Sequence, residues 1–346
     1  YTNDIIKEYK RKIRRKTMKS PFTGGNVALQ QENSELMFRK EKFQYVHLYY
    51  QCEDTKERFT TTEIDELNLS QVYNQYRVKY GIPFPDEIKR IRQMYELSAS
   101  KMSEILGFGD NQYRLYENGD MPSEANGKIL SSIKEPSIFK VFVENAKNQF
   151  EVKDFEKILS KLKKAMEYEG PHIKEELIFD SYSRGVCNGY ATQSYSKLKN
   201  IILFFIEKCG NTFNTKMNKL LFYTDFLSYK TYGYGMSGLA YKAIQFGPVP
   251  VRWDRVYSLI DDVYPEIIEF TSGNCGTKLC STLSPDYNCF STEELAILEM
   301  VLDKFKDFSA SEISDLSHKE NAWIKFNNSN QFIDYKEAFT LHAFDS

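Results

Sequence analysis

Residues Lys216–Tyr257 read KMNKLLFYTDFLSYKTYGYGMSGLAYKAIQFGPVPVRWDRVY, and this stretch decides the fold of the C-terminal half. From Met217, the apolar residues Leu220, Leu221, Phe222, Phe226 and Leu227 recur at helical spacing, which predicts an amphipathic helix with one buried face. Gly233, Gly235 and Gly238 end it in a Gly-rich aromatic loop, and Tyr241 to Phe246 predicts a half-buried strand. In Gly247-Pro248-Val249-Pro250 the prolines fix φ and the glycine permits a reversal, so a turn is expected before a second helix.

Working outward, Leu198 to Cys209 predicts a very apolar helix before this stretch. After it, Ile267–Phe270 and Lys278–Leu283 predict two strands of a small antiparallel sheet. Ser291 with Glu294, and Ser309 with Glu312, have the spacing of capping boxes, each opening a helix. Upstream, Ser137–Phe150 and Asp154–Glu169 read as helices ended by Gly170-Pro171, and the weakly periodic stretch to Tyr195 reads as a linker. Pro85 to Leu130 predicts a helix-turn-helix: a helix from Asp86 to Tyr95, a second capped by Ser98, a turn at Gly107–Asp110, and a third from Asn111 to Asn118. Phe108, Tyr113 and Tyr116 fall on its inward face, leaving Asn111, Gln112, Arg114 and Leu115 outward. Nearer the start, Asn26–Gln31, Leu36–Tyr50 and Glu57–Thr61 are rich in strand formers, and Thr62 opens a helix to Tyr80.

The 346 residues suffice for two or three cores, and the net charge of −2 gives no global attraction to nucleic acid or to an anionic membrane. Residues 1–17 carry seven Lys/Arg against Asp4 and Glu8. They read either as a basic arm for DNA or an acidic partner, or as a solvated extension that is not native, since Met18 has the look of a start. Between Pro83 and Glu135 seven Lys/Arg face nine Asp/Glu, so the helix-turn-helix stands as a DNA reader if its charges segregate, and otherwise as an interaction fold. No apolar run approaches the ~18 residues of a membrane helix, and six cysteines without a secretory signal read as reduced thiols of a cytoplasmic protein.

Chemistry is sparse. Gly233-Tyr234-Gly235-Met236-Ser237-Gly238 matches a dinucleotide fingerprint, but it follows a helix and leads into a strand, the reverse of what a pyrophosphate site needs. Cys275 and Cys280 lack a second pair, so no metal site is expected there. Ser317 and His318 are neighbours in sequence and do not face one another on a helix, so His318 reads as a structural residue beside Trp323 and no catalytic residue is assigned. What the residues favour is recognition. Tyr229, Tyr232, Tyr234, Tyr241, Arg252 and Trp253 surround the Gly loop and the Gly-Pro turn, and these residue types are enriched at interface hot spots, while each of them reads equally well as a core residue.

Three segments carry a resemblance: Lys216–Tyr223, Gln245–Val249 and Ser317–Trp323, of the types K-x-x-KLL-[FY]-Y, [FY]-GPV and Ser-His-x-x-x-x-Trp. Together they resemble the Panacea (SocA-like) domain of toxin–antitoxin antitoxins. Ser20-Pro21-Phe22-Thr23 and Cys52-Glu53-Asp54-Thr55 resemble the two C-x-x-C pairs of the zinc ribbon in MqsA-type antitoxins, with one thiolate of four retained. Hydroxyls are poor zinc ligands, so this resemblance implies a ribbon held by packing, through Phe22, Phe38, Phe43, Tyr45, Leu48 and Tyr50. The segment LSASKMSEILGFGDNQYRLYENGDMPS resembles the Xre-type module that follows such a ribbon, departing from it at Ala99 and Leu115.

The fold class expected is mainly α with small antiparallel β elements: a basic extension 1–17, a degenerate ribbon plus helix 18–82, a helix-turn-helix with following helices 83–170, a linker 171–194, and an α+β Panacea domain 195–346. The resemblance implies an antitoxin that binds a cognate toxin protein, and the residue types point to Tyr229, Tyr232, Tyr234, Arg252 and Trp253 as the contacts. It also implies operator DNA held by Lys101, Asn111, Gln112 and Arg114, with a homodimer matching paired half-sites. No cofactor, metal or membrane is expected. A transcription regulator whose C-terminal domain senses another protein, and an adaptor that delivers a bound toxin to a protease, are the rival readings.

Overall fold

The structure, a computed structural model, describes residues 6–10, 18–167, 172–179, 183–210, 212–270, 273, 275–327, 329 and 331–344. The expected ends of the basic arm, and the Gly170-Pro171 helix stop, lie outside the described residues. The fold is mainly helical with small antiparallel sheets, and the chain divides into two compact units, Tyr1–Gln71 with His172–Ser346, and Val72–Pro171.

In the first unit, β1 (Val27–Phe38) and β2 (Glu41–Cys52) form a long hairpin closed by Arg39 and Lys40, both at positive φ, and β3 (Arg58–Phe59) pairs with the end of β2. Beyond β3, the open edge of β2 meets the helix α1 (Thr62–Tyr80). There the Asn68 amide bonds both main-chain groups of Leu48 at 2.9 Å, and Gln71 bonds those of Val46 at 3.1 and 2.9 Å. Side-chain amides thus satisfy strand groups that would otherwise be orphaned. Phe43, Tyr45, Leu48 and Tyr50 are buried as expected, whereas Phe22 is 47 % exposed and packs edge-on against Phe59. Of the basic arm, Lys10 pairs with Glu299 and Asp303 of this unit.

Among its described residues the second unit contains the rest of α1 and six further α-helices: α2 (Pro85–Met94), α3 (Ala99–Leu106), α4 (Gln112–Glu117), α5 (Glu124–Ser132), α6 (Pro136–Asn145) and α7 (Val152–Glu167). Ser98 caps α3 by accepting from the Lys101 amide, and Gly107 ends it in the left-handed conformation. Ile88, Tyr95, Met102, Tyr113, Leu130 and Phe139 are core residues of this bundle. Tyr113 donates to the Ile88 carbonyl while its amide bonds the Ser103 hydroxyl, which fixes the turn between α3 and α4.

The first unit resumes with α8 (His172–Phe179), a helix within the stretch that reads as linker in the sequence. Next come α9 (Tyr195–Cys209), β4 (Thr212–Phe213) and α10 (Asn214–Tyr232). Every residue of α10 from Lys216 to Tyr229 is buried, so the expected single buried face is corrected to burial all round. The reason is packing on several sides, by β5 and β6 and by the helices that follow. A second correction concerns Gly247–Pro250. These residues are not the turn but β6, a strand pairing with β5 (Tyr241–Ile244), and the reversal falls at Gln245-Phe246. A proline's fixed φ suits an extended strand as well as a turn, and its missing N–H is tolerated in this two-stranded sheet. Then follow α11 (Trp253–Leu259), β7 (Tyr264–Glu269), β8 (Cys275–Cys280) between β7 and β4, and three helices: α12 (Thr292–Phe305), α13 (Ala310–Ser317) and α14 (Asn321–Phe326). Both capping boxes form, with Ser291 and Ser309 accepting from Glu294 and Glu312 amides at 3.2 Å. Among the described residues no helix is long and apolar enough to cross a membrane.

Candidate functional site

A helix buried all round must satisfy its polar side chains internally. Most of those on α10 do so. Asp225 accepts from the Met236 and Ser237 amides at 2.7 Å, from the Ser237 hydroxyl, and from Tyr241 at 2.6 Å, which pins the Gly loop to the helix. Burial nevertheless raises its carboxyl above the usual range. Asn218 accepts from Tyr257 at 2.7 Å, and Lys216 donates to the Lys306 carbonyl at 2.8 Å. Lys219 is different. Its side chain is 0 % exposed, and its ammonium has no hydrogen-bond partner in the protein. Burial alone pushes it down from the ordinary 10.5 to about 8.

The space around Lys219 is built by the three segments that carry the sequence resemblance. Gly247, at φ +99°, lies against it: a Cβ there would stand 2.6 Å from Ser317 Oγ, 2.7 Å from Lys219 Cε and 3.0 Å from Lys219 Nζ. Ser317 Oγ donates to the Ser314 carbonyl at 2.7 Å, and Ser314 Oγ donates to the Phe246 carbonyl at 3.0 Å, so α13 is tied to the hairpin. His318 packs against Trp323, the rings tilted with centroids 4.3 Å apart, and the Trp323 indole donates to the Ile244 carbonyl at 2.7 Å. The His318 ring bonds the Gln245 main chain, while its Nε2 is buried and unpartnered. Burial, and then the charge of Lys219, hold its imidazole below the usual range. Ser317 thus bonds a main-chain carbonyl, and His318 the hairpin and Trp323.

Lys219 also belongs to the lining of an open groove of about 780 Å³. Phe246, 64 % exposed, and Trp253, 38 % exposed, stand on its rim with Ile244 and Phe270. Two more buried polar atoms without partners, Thr212 Oγ1 and Asn214 Oδ1, belong to lining residues. Among the described residues that line it, Lys216 and Lys219 are charged and none is Asp or Glu.

The five residues expected to meet a toxin do not form one patch. Tyr229, 2 % exposed, is a core residue packed against Tyr335 and Phe339. Tyr232 and Tyr234 stack at 5.9 Å at the C-terminal end of α10, roughly 20 Å along the helix from Lys219 at 1.5 Å per residue. Trp253 is in the groove, and Arg252 beside it lines a separate small cavity. In the second unit Asn111, Arg114 and Leu115 are exposed and Gln112 is half-buried, while Tyr113 and Tyr116 are buried. Lys101 is engaged with Glu104 at 2.8 Å and lies over the Phe150 ring at 4.3 Å. In the hairpin, Cys52 is fully buried, with Ser20, Thr23 and Thr55 around its sulfur and Thr23 Oγ1 at 3.6 Å. Hydrogen bonds from Ser20 and Thr55 hold this thiol down to about 6. Among the described residues no group of three or more His, Cys, Asp or Glu could hold a metal.

Residues 217–324 match the family model described as antitoxin SocA-like, Panacea domain. The matched segment contains Lys219, Gly247, Ser317, His318 and Trp323, so it builds the surroundings of Lys219 and much of the groove. No curated protein and no solved structure matches the chain significantly.

Proposed function

We propose that this chain is an antitoxin that neutralises a protein toxin by direct, non-covalent binding through its Panacea domain, and that its helix-turn-helix unit binds the operator of its own operon. The family match over 217–324 carries this reading, because that segment also builds an open groove with an aromatic rim. Inhibition is by mass action: a toxin held tightly enough is removed from its target with no bond broken. The exposed Asn111 and Arg114 at the start of α4 support the DNA reading, since Asn can bond adenine bidentately and Arg guanine or phosphate. Paired half-sites would then require two copies of the chain. The convergence of Ser20, Thr23, Cys52 and Thr55 supports the MqsA-like reading of residues 18–82, with hydroxyls where a zinc ribbon has thiolates. A cytoplasmic location goes with this reading, since toxin neutralisation and operator binding would both take place there.

The test is co-expression of the full chain with the product of the adjacent open reading frame, scoring growth and co-purification. A neighbour that is lethal alone, rescued by this chain and recovered with it stoichiometrically, is the expected result. A harmless neighbour that does not co-purify removes the antitoxin reading and leaves a DNA-binding regulator, the reading that the exposed face of α4 then favours.

A further inference from the structure

We infer that the groove over Lys219 receives an acidic side chain carried on an apolar segment of a protein partner. The inference deepens the toxin-binding reading and rests on it for the partner's identity, but its chemistry comes from the groove alone. A buried ammonium without an acceptor is costly to keep, and the missing acceptor is the complement a ligand can bring. Gly247 stands against the lysine with Ser317 beside it, and the lysine also lines the groove, from which an acceptor can approach. The tetramethylene stem lets the ammonium rise to meet an anion at the floor.

Charge and shape select the class of ligand. Two lysines and no carboxylate among the described lining residues favour an anion. Phe246, Trp253, Ile244 and Phe270 on the rim favour apolar side chains on either side of it. A volume of about 780 Å³ lies in the range of small-molecule sites, but those enclose most of their ligand, whereas this groove is open and its rim aromatics are exposed. An extended or helical segment of a protein covers such a rim.

The test uses the full chain and a phage-displayed random dodecapeptide library, so it does not depend on the adjacent gene. Selected peptides are expected to share an Asp or Glu flanked by aromatic or aliphatic residues. Their affinity, measured by fluorescence anisotropy, is expected to fall about tenfold or more on Lys219→Met and on Phe246→Glu. Lys219→Met removes a buried charge and Phe246 is a surface residue, so both variants are expected to melt no lower than the parent. Displacement by free glutamate at micromolar concentration would instead identify a small-molecule site and overturn the inference. So would selected peptides without an acidic residue, peptides that bind both variants unchanged, or a library that yields no binder. If peptides behave as expected while the adjacent gene product does not co-purify, the groove stands and the antitoxin reading falls. If that product is neutralised equally by both variants, the groove is not where it binds, and the reverse holds.

Discussion

Lys219 is a buried cation without a hydrogen-bond partner among the described residues, and its cost to the fold can be sized. An ammonium held at about 8 instead of 10.5 is penalised in the folded state by roughly 3 kcal/mol, at 1.36 kcal/mol per pH unit. The folded value is the lower one, so below pH 8 both states are protonated and the penalty is complete. As pH rises above 8 the folded state sheds its proton first, and stability increases. Between pH 8 and 9.5 this contributes about 2 kcal/mol, before buried tyrosines such as Tyr95 and Tyr113, raised by burial, act in the opposite direction. Urea unfolding of the parent and of Lys219→Met should show that rise in the parent, its absence in the variant, and a more stable variant at pH 7. A parent whose stability is flat across the window would mean that the lysine is solvated. Gly247→Ala is expected to be destabilising by roughly 1–3 kcal/mol from its positive φ alone, with the contacts to Ser317 and Lys219 in addition. A melting temperature unchanged in that variant would contradict the geometry around the lysine. The sequence contains a signal for Lys219 in hindsight. Lys216, Lys219 and Asp225 interrupt a helix whose apolar residues otherwise crowd every side, and a lysine there must be paired or exceptional. Which of the two it is depends on partners distant in sequence, and spacing does not encode them.

Elements were legible where a side chain marks their ends. Ser98, Ser291 and Ser309 sit at helix starts because each offers an oxygen to an otherwise orphaned amide, a local rule that needs no tertiary information. The hairpin β5–β6 was not legible in the same way. Proline permits both a turn and a strand, and the true reversal, Gln245-Phe246, has no turn-forming residue. The two-residue strand β4 is equally silent, since it exists through its pairing with β8. In the β1–β2 hairpin, the positions matched to zinc ligands by resemblance do come together around Cys52. Their proximity makes a prediction: the triple variant Ser20→Cys, Thr23→Cys, Thr55→Cys should bind one zinc per chain and melt at a higher temperature with the metal than without it. Metal analysis after dialysis, with the parent as control, checks this. A triple variant that folds but retains no zinc would show that the four positions lack tetrahedral geometry.

Across the whole molecule, the expected recognition residues separate between the two units, and so should their effects. Asn111→Ala with Arg114→Ala, both on exposed positions of the second unit, is expected to weaken operator binding about tenfold or more and to leave neutralisation of the toxin unchanged. Gel-shift titration beside the growth assay tests it, and an undiminished shift would reduce the helix-turn-helix to an interaction fold. The pairing of residues 1–71 with 172–346 was beyond a sequence reading, because it depends on contacts between segments that share no local pattern. It also has a consequence for biosynthesis. The second unit is contiguous and has its own core, so it can fold while the ribosome is still translating. The first unit must wait for residues 320–343: Tyr335, fully buried, bonds the Leu239 carbonyl, and Glu320 accepts the amides of His342 and Ala343. A nascent chain halted before residue 320 would therefore carry a folded second unit and a first unit whose core is still open. On the roles proposed for the two units, DNA binding would then precede the capacity to neutralise.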